Sequence, residues 1–348
     1  MRYKIFAILA VVLLATASCT PRRKHRGGSL LTPTSSGNPY EVMVVADDSV
    51  WNGYVGSSIQ RVLDAPLRGL PQDEEMFHRS HISHAHYDNI TNLFRNIILI
   101  NIDKEHTVPK IRLERDVHST PQLIIKISGP NQREVSMHIT EHTKAIQDLL
   151  SVEEINRQAL DMFDCHNIKF DKKVKEMFGC SLCIPVDLKH IIEGKDFLWA
   201  TNGAVTGIQG IVIYSLPYVS ERMFNKRPYM ALRDTIMKAN LPGEKPGMYM
   251  ETNHDFVWTR NIRVQGDFAM EARGLWQMHN DAMGGPFVSH SRVDTINNRV
   301  IVVEGFVYAP EKMKRTMIRR LEAALYTLKL PSAEDAKEGE EEEEEEKK

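Results

Sequence analysis

The chain repeats one order of predicted secondary-structure elements, and this repetition is the strongest constraint on its fold. Each copy begins with a strand rich in β-branched residues, at residues 41–46 and 209–214, followed by a segment with apolar residues at helical spacing. Each copy then passes through Leu-Pro and reaches a strand that contains Arg-Asn-Ile, beginning at Arg95 and at Arg260. Strands followed by helices favour a layered α+β fold. The sequence therefore predicts two related halves, each a mainly antiparallel sheet with helices packed on one face, and an internal repeat that superposes Arg95 on Arg260.

The second half carries two further local signals. Two predicted strands flank Asn297-Asn298, and Asn tolerates positive φ, so the sequence predicts a two-residue hairpin turn here. Apolar residues then recur at helical spacing between residues 313 and 328, which predicts a final helix with one apolar stripe.

Residues 1–19 contain the segments of an export signal in the expected order. Arg2 and Lys4 precede residues 5–15, an unbroken apolar run that is too short for a bilayer-spanning helix of about 20 residues. Small residues and then Cys19 follow, so the segment resembles a bacterial lipoprotein signal, which is cut before a lipidated Cys. Thr16 stands where the common signal has Leu. We expect lipidation at Cys19, and an ordinary signal peptide followed by an incidental Cys is the alternative.

The composition after Cys19 extends this expectation. A stretch rich in Pro, Gly and Ser, with basic residues at 22–26, is predicted to be a flexible tether beside anionic lipid. The acidic residues of a surface-export signal are missing after Cys19, which favours the periplasmic side of the outer membrane. The predicted organisation is a signal peptide (1–18), a lipidated Cys and flexible tether (19–39), a first half (40–163), a connecting segment (164–207), a second half (208–330) and a disordered acidic tail (331–348).

The composition of the whole chain excludes several classes of protein. The chain has 44 Lys and Arg against 46 Asp and Glu, so its bulk charge does not suit a nucleic-acid binder. A hydrophobic fraction of 42% excludes a polytopic membrane protein and a wholly disordered chain. Four Cys exclude a disulfide scaffold. The sequence motifs of serine hydrolases, P-loop ATPases and dinucleotide-binding enzymes do not occur, and no cofactor is predicted.

Four His within residues 78–86 form a candidate metal site. His84 and His86 would share one face of a strand, and neutral imidazole is a common metal ligand. A third ligand would have to come from elsewhere, since the sequence contains no His-Glu-x-x-His, and a polar, partly exposed strand is the alternative.

Cys180 and Cys183 form a C-x-x-C that leads into an apolar stretch, which we interpret as buried or oxidised structural Cys rather than a redox pair.

Arg95 and Arg260 are the strongest candidates for ligand binding. Each shares a predicted strand face with apolar residues, where a charged side chain is rarely left unpaired. Each therefore pairs with a carboxylate inside the fold, or with the carboxylate or phosphate of a ligand. We expect the internal pair for Arg95 and leave the ligand open for Arg260, near which a polar aromatic loop could rim a pocket. The predicted ligand-binding residues are Arg260, Trp258, Trp276, His279, Asp281 and Arg95.

Several short motifs together carry a resemblance to a known family. They are the paired Arg-Asn-Ile strands, Asp-Phe-Leu-Trp at 196–199, Gly-Leu-Trp at 274–276 and Met-Gly-Gly-Pro-Phe at 283–287. With the export signal, they resemble an uncharacterised lipoprotein family of Bacteroidetes over roughly residues 38–330. The resemblance implies an envelope location and brings no established activity, so it supplies no catalytic residues.

The leading functional hypothesis is a lipid-anchored envelope protein that binds a ligand or assists envelope assembly without catalysis. Its expected partners are the membrane, an envelope protein or a small anionic ligand, and no nucleic acid. The alternative is a periplasmic hydrolase or carbohydrate-active enzyme that uses carboxylates such as Glu251, Asp255 and Glu271. Such an enzyme needs two carboxyl groups about 5–10 Å apart. Close carboxylates in a deep cleft would favour the enzyme, and a shallow cleft would favour binding.

Overall fold

The structure is a computed structural model that describes residues 32–331. The predicted signal peptide, the lipidation site Cys19 and residues 332–348 of the acidic tail lie outside the described residues. Within residues 32–331 the chain forms two sheets, of five and seven strands, with helices packed against both. This arrangement confirms the predicted α+β fold with two halves. No helix in that range combines the length and the apolar character that crossing a membrane requires.

The first sheet is mixed rather than mainly antiparallel. Its strand order is β2-β1-β3-β5-β4, and β1 pairs in parallel with both β2 and β3, as β3 does with β5. The edge strand β4 is antiparallel to β5. The prediction of a mainly antiparallel first sheet is therefore wrong. The strands are β1 (Glu41–Val45), β2 (His78–Ile82), β3 (Asn96–Ile102), β4 (Lys110–Arg115) and β5 (Leu123–Gly129).

The longer helices of the first half pack on one face of this sheet, as predicted. In the second helix, Val55, Ile59 and Val62 recur at helical spacing and are buried in one cluster with Val44 of β1 and Ile98 of β3. The third and fourth helices add their apolar residues to the same cluster. The helices are α1 (Asp48–Trp51), α2 (Tyr54–Leu63), α3 (Gln132–Glu141) and α4 (Thr143–Asp164).

The second sheet is antiparallel between all its neighbouring strands, as predicted. Its order is β6-β7-β8-β12-β11-β10-β9. The predicted hairpin between β11 and β12 is confirmed, and Asn298 in its turn has a φ of 49°. The predicted two-residue turn is wrong, because Asp294 pairs with Arg299 and the loop has four residues, 295–298. The strands are β6 (His190–Gly194), β7 (Phe197–Thr201), β8 (Ile208–Pro217), β9 (Met250–Val264), β10 (Asp267–Met278), β11 (Gly284–Asp294) and β12 (Arg299–Tyr308).

Helices cover both faces of the second sheet, so the predicted packing on one face is wrong for this half. Helices α5 (Ile168–Phe178) and α7 (Arg315–Leu325) pack on the face that carries Ile211 and Val303. Helix α6 (Lys226–Asn240) packs on the opposite face. The central strands β8 and β12 are buried on both faces over most of their length, and each face therefore needs a covering layer.

Helix α7 belongs to the second half and is held by residues of the first. The buried carboxylate of Glu74 accepts the backbone N–H groups of Lys314 and Arg315 at 2.7 and 2.8 Å, which caps the start of the helix. The Arg319 guanidinium lies 3.9 Å from the centre of the Tyr40 ring. A cap and a cation–π contact thus join the two halves.

The predicted internal repeat is wrong. Strands β1 and β3 are neighbours in the first sheet, whereas β8 and β9, their proposed counterparts, are separated by β12, β11 and β10. The strands therefore occupy different sheet positions, and Arg95 does not correspond to Arg260. The segment 164–207, predicted to connect the halves, instead supplies α5, β6 and β7 to the second half. Similar local patterns fit both arrangements, because they specify apolar faces and not strand partners.

Candidate functional site

An open cleft with a volume of 630 Å³ lies at one end of the second sheet. It is formed by the β10–β11 hairpin and the first residues of β9, and Pro71 of the first half contributes to its wall. Three of the predicted ligand-binding residues, Trp276, His279 and Asp281, line it together. Its other lining residues are Glu251, Asn253, Leu275, Gln277, Met278, Asn280, Ala282, Met283, Gly284 and Gly285.

The buried indole of Trp276 forms the base of the cleft. Its Nε1–H donates to the carbonyl of Val307 at 3.2 Å, and its ring meets Phe306 edge-on at 5.9 Å between centroids. Gly285 permits this packing, because a Cβ there would lie 2.0 Å from the Val307 oxygen and 3.4 Å from the indole nitrogen. The Gly-Gly pair at the start of β11 is therefore required for the close approach of β11 to β12 and Trp276.

His279 is held by an aromatic ring and a carboxylate. Its ring stacks on Tyr249 with 4.6 Å between centroids and 12° between planes. Its Nδ1 lies 3.4 Å from Oε2 of Glu251, whose Oε1 accepts the Gln277 side-chain amide at 2.9 Å. Lys238 extends its Nζ to 4.4 Å from the centre of the Tyr249 ring. These contacts fix the orientation of the imidazole before a ligand arrives.

The cleft offers hydrogen-bonding groups and the His279 ring, which is stacked on Tyr249. Its lining has more acidic than basic side chains. Among the described residues that line it, Glu251 and Asp281 are carboxylates and none is Lys or Arg. Asp281 also accepts the Met283 backbone N–H at 3.0 Å, which closes the turn. Such a lining suits a neutral or cationic polar group better than the small anion expected from the sequence.

Arg95 pairs with a carboxylate of the fold, as predicted. Its Nε donates to Oε1 of the buried Glu154 at 3.0 Å, and its Nη2 lies 3.0 Å from Oε2 of the same residue. Asn96 and Arg157 also donate to Glu154, each at 2.7 Å. The guanidinium is therefore part of the link between β3 and α4, and it lies outside the cleft.

Arg260 also has an internal partner, which removes the reason to assign it an anionic ligand. It forms a bidentate pair with Glu271 at 2.8 and 3.0 Å. Its side chain is 50% exposed, so the expectation that it enters a low-polarity layer is wrong. Trp258, which is 40% exposed on the same strand, also lies outside the cleft. Both side chains lie on the edge strand β9, beyond its bulge, and are exposed there, a feature that alternation alone does not reveal.

Glu251 and Glu271, two of the carboxylates proposed for hydrolysis, do not form a pair. Glu271 is buried, and although burial alone would raise its pKa, the Arg273 charge and the Arg260 hydrogen bond hold the pKa well below its ordinary value. Glu251 faces Gln277 across the ladder, six residues along β10 from Glu271, which is about 20 Å at about 3.3 Å per residue. Asp255 is exposed in the bulge of β9.

The predicted metal ligands His84 and His86 do not share a strand face. Strand β2 ends at Ile82, and residues 84–86 form a short 3₁₀ turn instead. His84 Nδ1 lies 3.0 Å from an Asp47 carboxylate oxygen, and His86 Nδ1 lies 2.8 Å from the Ser83 hydroxyl. Within residues 32–331, three metal-type side chains converge at another place, in α3 and just after it: His138, Glu141 and His142.

The C-x-x-C thiols are buried, as predicted for structural Cys. Burial raises the pKa of Cys180 to about 12 and that of Cys183 to about 11. Both thiols are therefore protonated at neutral pH, and thiolate chemistry is disfavoured. Cys165 is exposed.

Two residues that support side chains of the cleft were not predicted from the sequence. Tyr249 and Gln277 support His279 and Glu251, but nothing in the sequence places the start of β9 beside the end of β10. A prediction of the long hairpin between residues 250 and 278 would have placed the side chains of Tyr249, Glu251, Gln277 and His279 close together. Its signal is Gln265-Gly266, which turns with positive φ at both residues, 53° and 92°.

Two family models match the chain, and both describe domains of unknown function. Domain of unknown function (DUF8532) matches residues 35–163, and Domain of unknown function (DUF4837) matches residues 167–327. The chain is thus similar to uncharacterised domains in both halves, in agreement with the expectation of an uncharacterised family. No curated protein and no solved structure matches it.

Proposed function

We propose that the protein is a lipid-anchored cell-envelope protein that binds a polar, neutral or cationic group in the cleft and catalyses no reaction. The convergence of Trp276, His279 and Asp281 with Glu251 in one open cleft is the observation that carries this proposal. The ring stack and the hydrogen bond to Glu251 by Gln277 preorganise the polar groups, which reduces the entropy that a ligand has to offset. A sugar hydroxyl array is a ligand of this chemistry.

The separation of Glu251 from Glu271 favours binding over the hydrolase alternative. An enzyme of that kind needs carboxyl groups about 5–10 Å apart, and the distance along β10 is about twice that. The Glu271 carboxylate is also occupied by Arg260 and Arg273, so it is a poor general acid.

The export signal at residues 2–19 supports the lipid anchor, as does the resemblance to lipoproteins of Bacteroidetes. We propose the periplasmic side of the outer membrane as the location.

The anchor is tested by Cys19→Ala, with Cys165→Ala as a matched control. In cells fed a labelled fatty acid, the wild type and Cys165→Ala should carry label and sediment with membranes, because each buried CH₂ of a lipid chain contributes about 0.8 kcal/mol. Cys19→Ala should carry no label and leave the membrane fraction. Absence of label on the wild type would end the proposal of an anchor.

The cleft is tested by binding of the full-length protein to an array of envelope-type oligosaccharides. His279→Ala and Glu251→Gln should each weaken binding at least 10-fold, because the first removes an aromatic face and the second replaces a charged hydrogen-bond acceptor by a neutral amide. Trp258→Ala, an exposed aromatic outside the cleft, should bind as the wild type does. Equal binding by all four proteins, or binding only to acidic glycans, would contradict the proposal.

A further inference from the structure

Three side chains with metal-ligand chemistry meet where helix α3 passes into α4. His138 and Glu141 lie in the last turn of α3, and His142 is the single residue between α3 and α4. Positions i, i+3 and i+4 of a helix face the same side. Their candidate ligand atoms all lie within 4.8 Å of one another, and Glu141 and His142 are exposed to solvent.

The imidazole of His142 is already held in the tautomer that binds metal. Its Nδ1 lies 2.9 Å from the backbone carbonyl oxygen of His138. Because a carbonyl oxygen only accepts hydrogen bonds, a neutral ring carries its proton on Nδ1 and leaves the lone pair of Nε2 free. A hydrogen bond from the second ring nitrogen to a carbonyl is the usual arrangement that orients a metal-binding His.

The other two side chains have no competing polar partner in the described part of the chain. Within residues 32–331, neither the His138 ring nor the Glu141 carboxylate takes part in a hydrogen bond or an ion pair. The His138 and His142 rings lie 4.3 Å apart between centroids, tilted by 50°. A metal ion between the donors would replace hydration water rather than break contacts of the fold.

We propose that His138, Glu141 and His142 form a binding site for a divalent transition-metal ion of the zinc class. Two imidazoles and one carboxylate suit Zn²⁺, Ni²⁺ and Cu²⁺, and disfavour Ca²⁺ and Mg²⁺, which require more oxygen ligands. Three protein ligands leave a fourth position for water or for an external ligand. The bound ion ties the last turn of α3 to His142, the residue that joins α3 to α4, and stiffens the junction between these helices.

Titration calorimetry of the full-length protein in detergent with ZnCl₂ tests this site. The wild type should bind one Zn²⁺ at the site, and His138→Gln/His142→Gln should weaken that binding at least about 100-fold. Glu141→Gln should weaken it about 10-fold. The control is His84→Gln/His86→Gln, which removes the other close His pair and should leave the affinity unchanged.

Two further measurements distinguish a variant that has lost the metal site from one that has lost its fold. The metal-free variants should unfold at the wild-type temperature, and added Zn²⁺ should raise the unfolding temperature of the wild type and not of His138→Gln/His142→Gln. Co²⁺ in place of Zn²⁺ should give the intense visible bands of four-coordination. A wild type that binds no Zn²⁺, or a double variant with wild-type affinity and the same Co²⁺ spectrum, would overturn the proposal.

Discussion

Substitution of Glu154 by Gln is expected to destabilise the protein more than substitution of its partner Arg95 by Met. The Glu154 carboxylate is fully buried and receives hydrogen bonds from Arg95, Arg157 and Asn96. Two guanidinium groups therefore share one negative charge. Burial lowers the pKa of Arg157, and the Glu154 charge opposes this effect, so that carboxylate offsets the cost of burying the Arg157 charge.

The size of the asymmetry follows from what each substitution leaves behind. Glu154→Gln leaves Arg157, only 5% exposed, without its counter-charge, and the loss of one partner of a buried pair costs about 3–5 kcal/mol. Arg95→Met leaves Glu154 paired with Arg157 and Asn96, so the loss is closer to that of one charged hydrogen bond, about 1.5–3 kcal/mol. We expect a difference of about 2 kcal/mol between the two variants.

Urea unfolding followed by far-ultraviolet circular dichroism measures this difference. With a slope of about 3 kcal/mol per molar urea, the two midpoints should lie about 0.7 M apart, provided the slope is unchanged. The double variant should show coupling of about 0.5–3 kcal/mol between the two sites. Equal midpoints, or a larger loss for Arg95→Met, would refute the view that Glu154 balances two buried cations.

Two other predictions concern acid stability and thiol reactivity. Arg273 holds the pKa of Glu271 well below 4.5. The ionised Glu271 carboxylate should therefore stabilise the fold fully above about pH 4.5, and this contribution should fall as the pH approaches the lowered pKa. The urea midpoint of the wild type should therefore fall more steeply below pH 4.5 than that of Glu271→Gln. Iodoacetamide at pH 7.5 should modify the exposed Cys165, whereas Cys180 and Cys183 should react only after unfolding. The reason is that burial raises the pKa values of Cys180 and Cys183 to about 12 and about 11. Equal labelling of all three Cys in the native state would contradict this burial.

Only some residues of the candidate site could be predicted from the sequence. His279 and Asp281 of the predicted polar loop do line a pocket, because a short polar segment between two strands stays near the surface whatever the strands pair with. Trp276, predicted in the same loop, is instead a buried residue of β10 that also lines the pocket. Glu251 reaches the same cleft, and Tyr249 stacks on His279, through the pairing of β9 with β10, which local patterns do not specify. The metal-type cluster was missed because its order, His-x-x-Glu-His, differs from the motif sought, and because its geometry needs α3 to reach Glu141.

The sequence by itself determined the layered α+β class, the Asn297-Asn298 hairpin and the need of Arg95 for a buried carboxylate. These are local properties, set by the period of the apolar residues, the φ that a turn residue tolerates and the cost of an unpaired charge. The tertiary structure alone decided that β1 lies beside β3 while β8 lies far from β9. The backbone hydrogen bonds of a ladder are nearly the same with any partner, so the choice of neighbours depends on the packing of whole faces and on the helices that cover them.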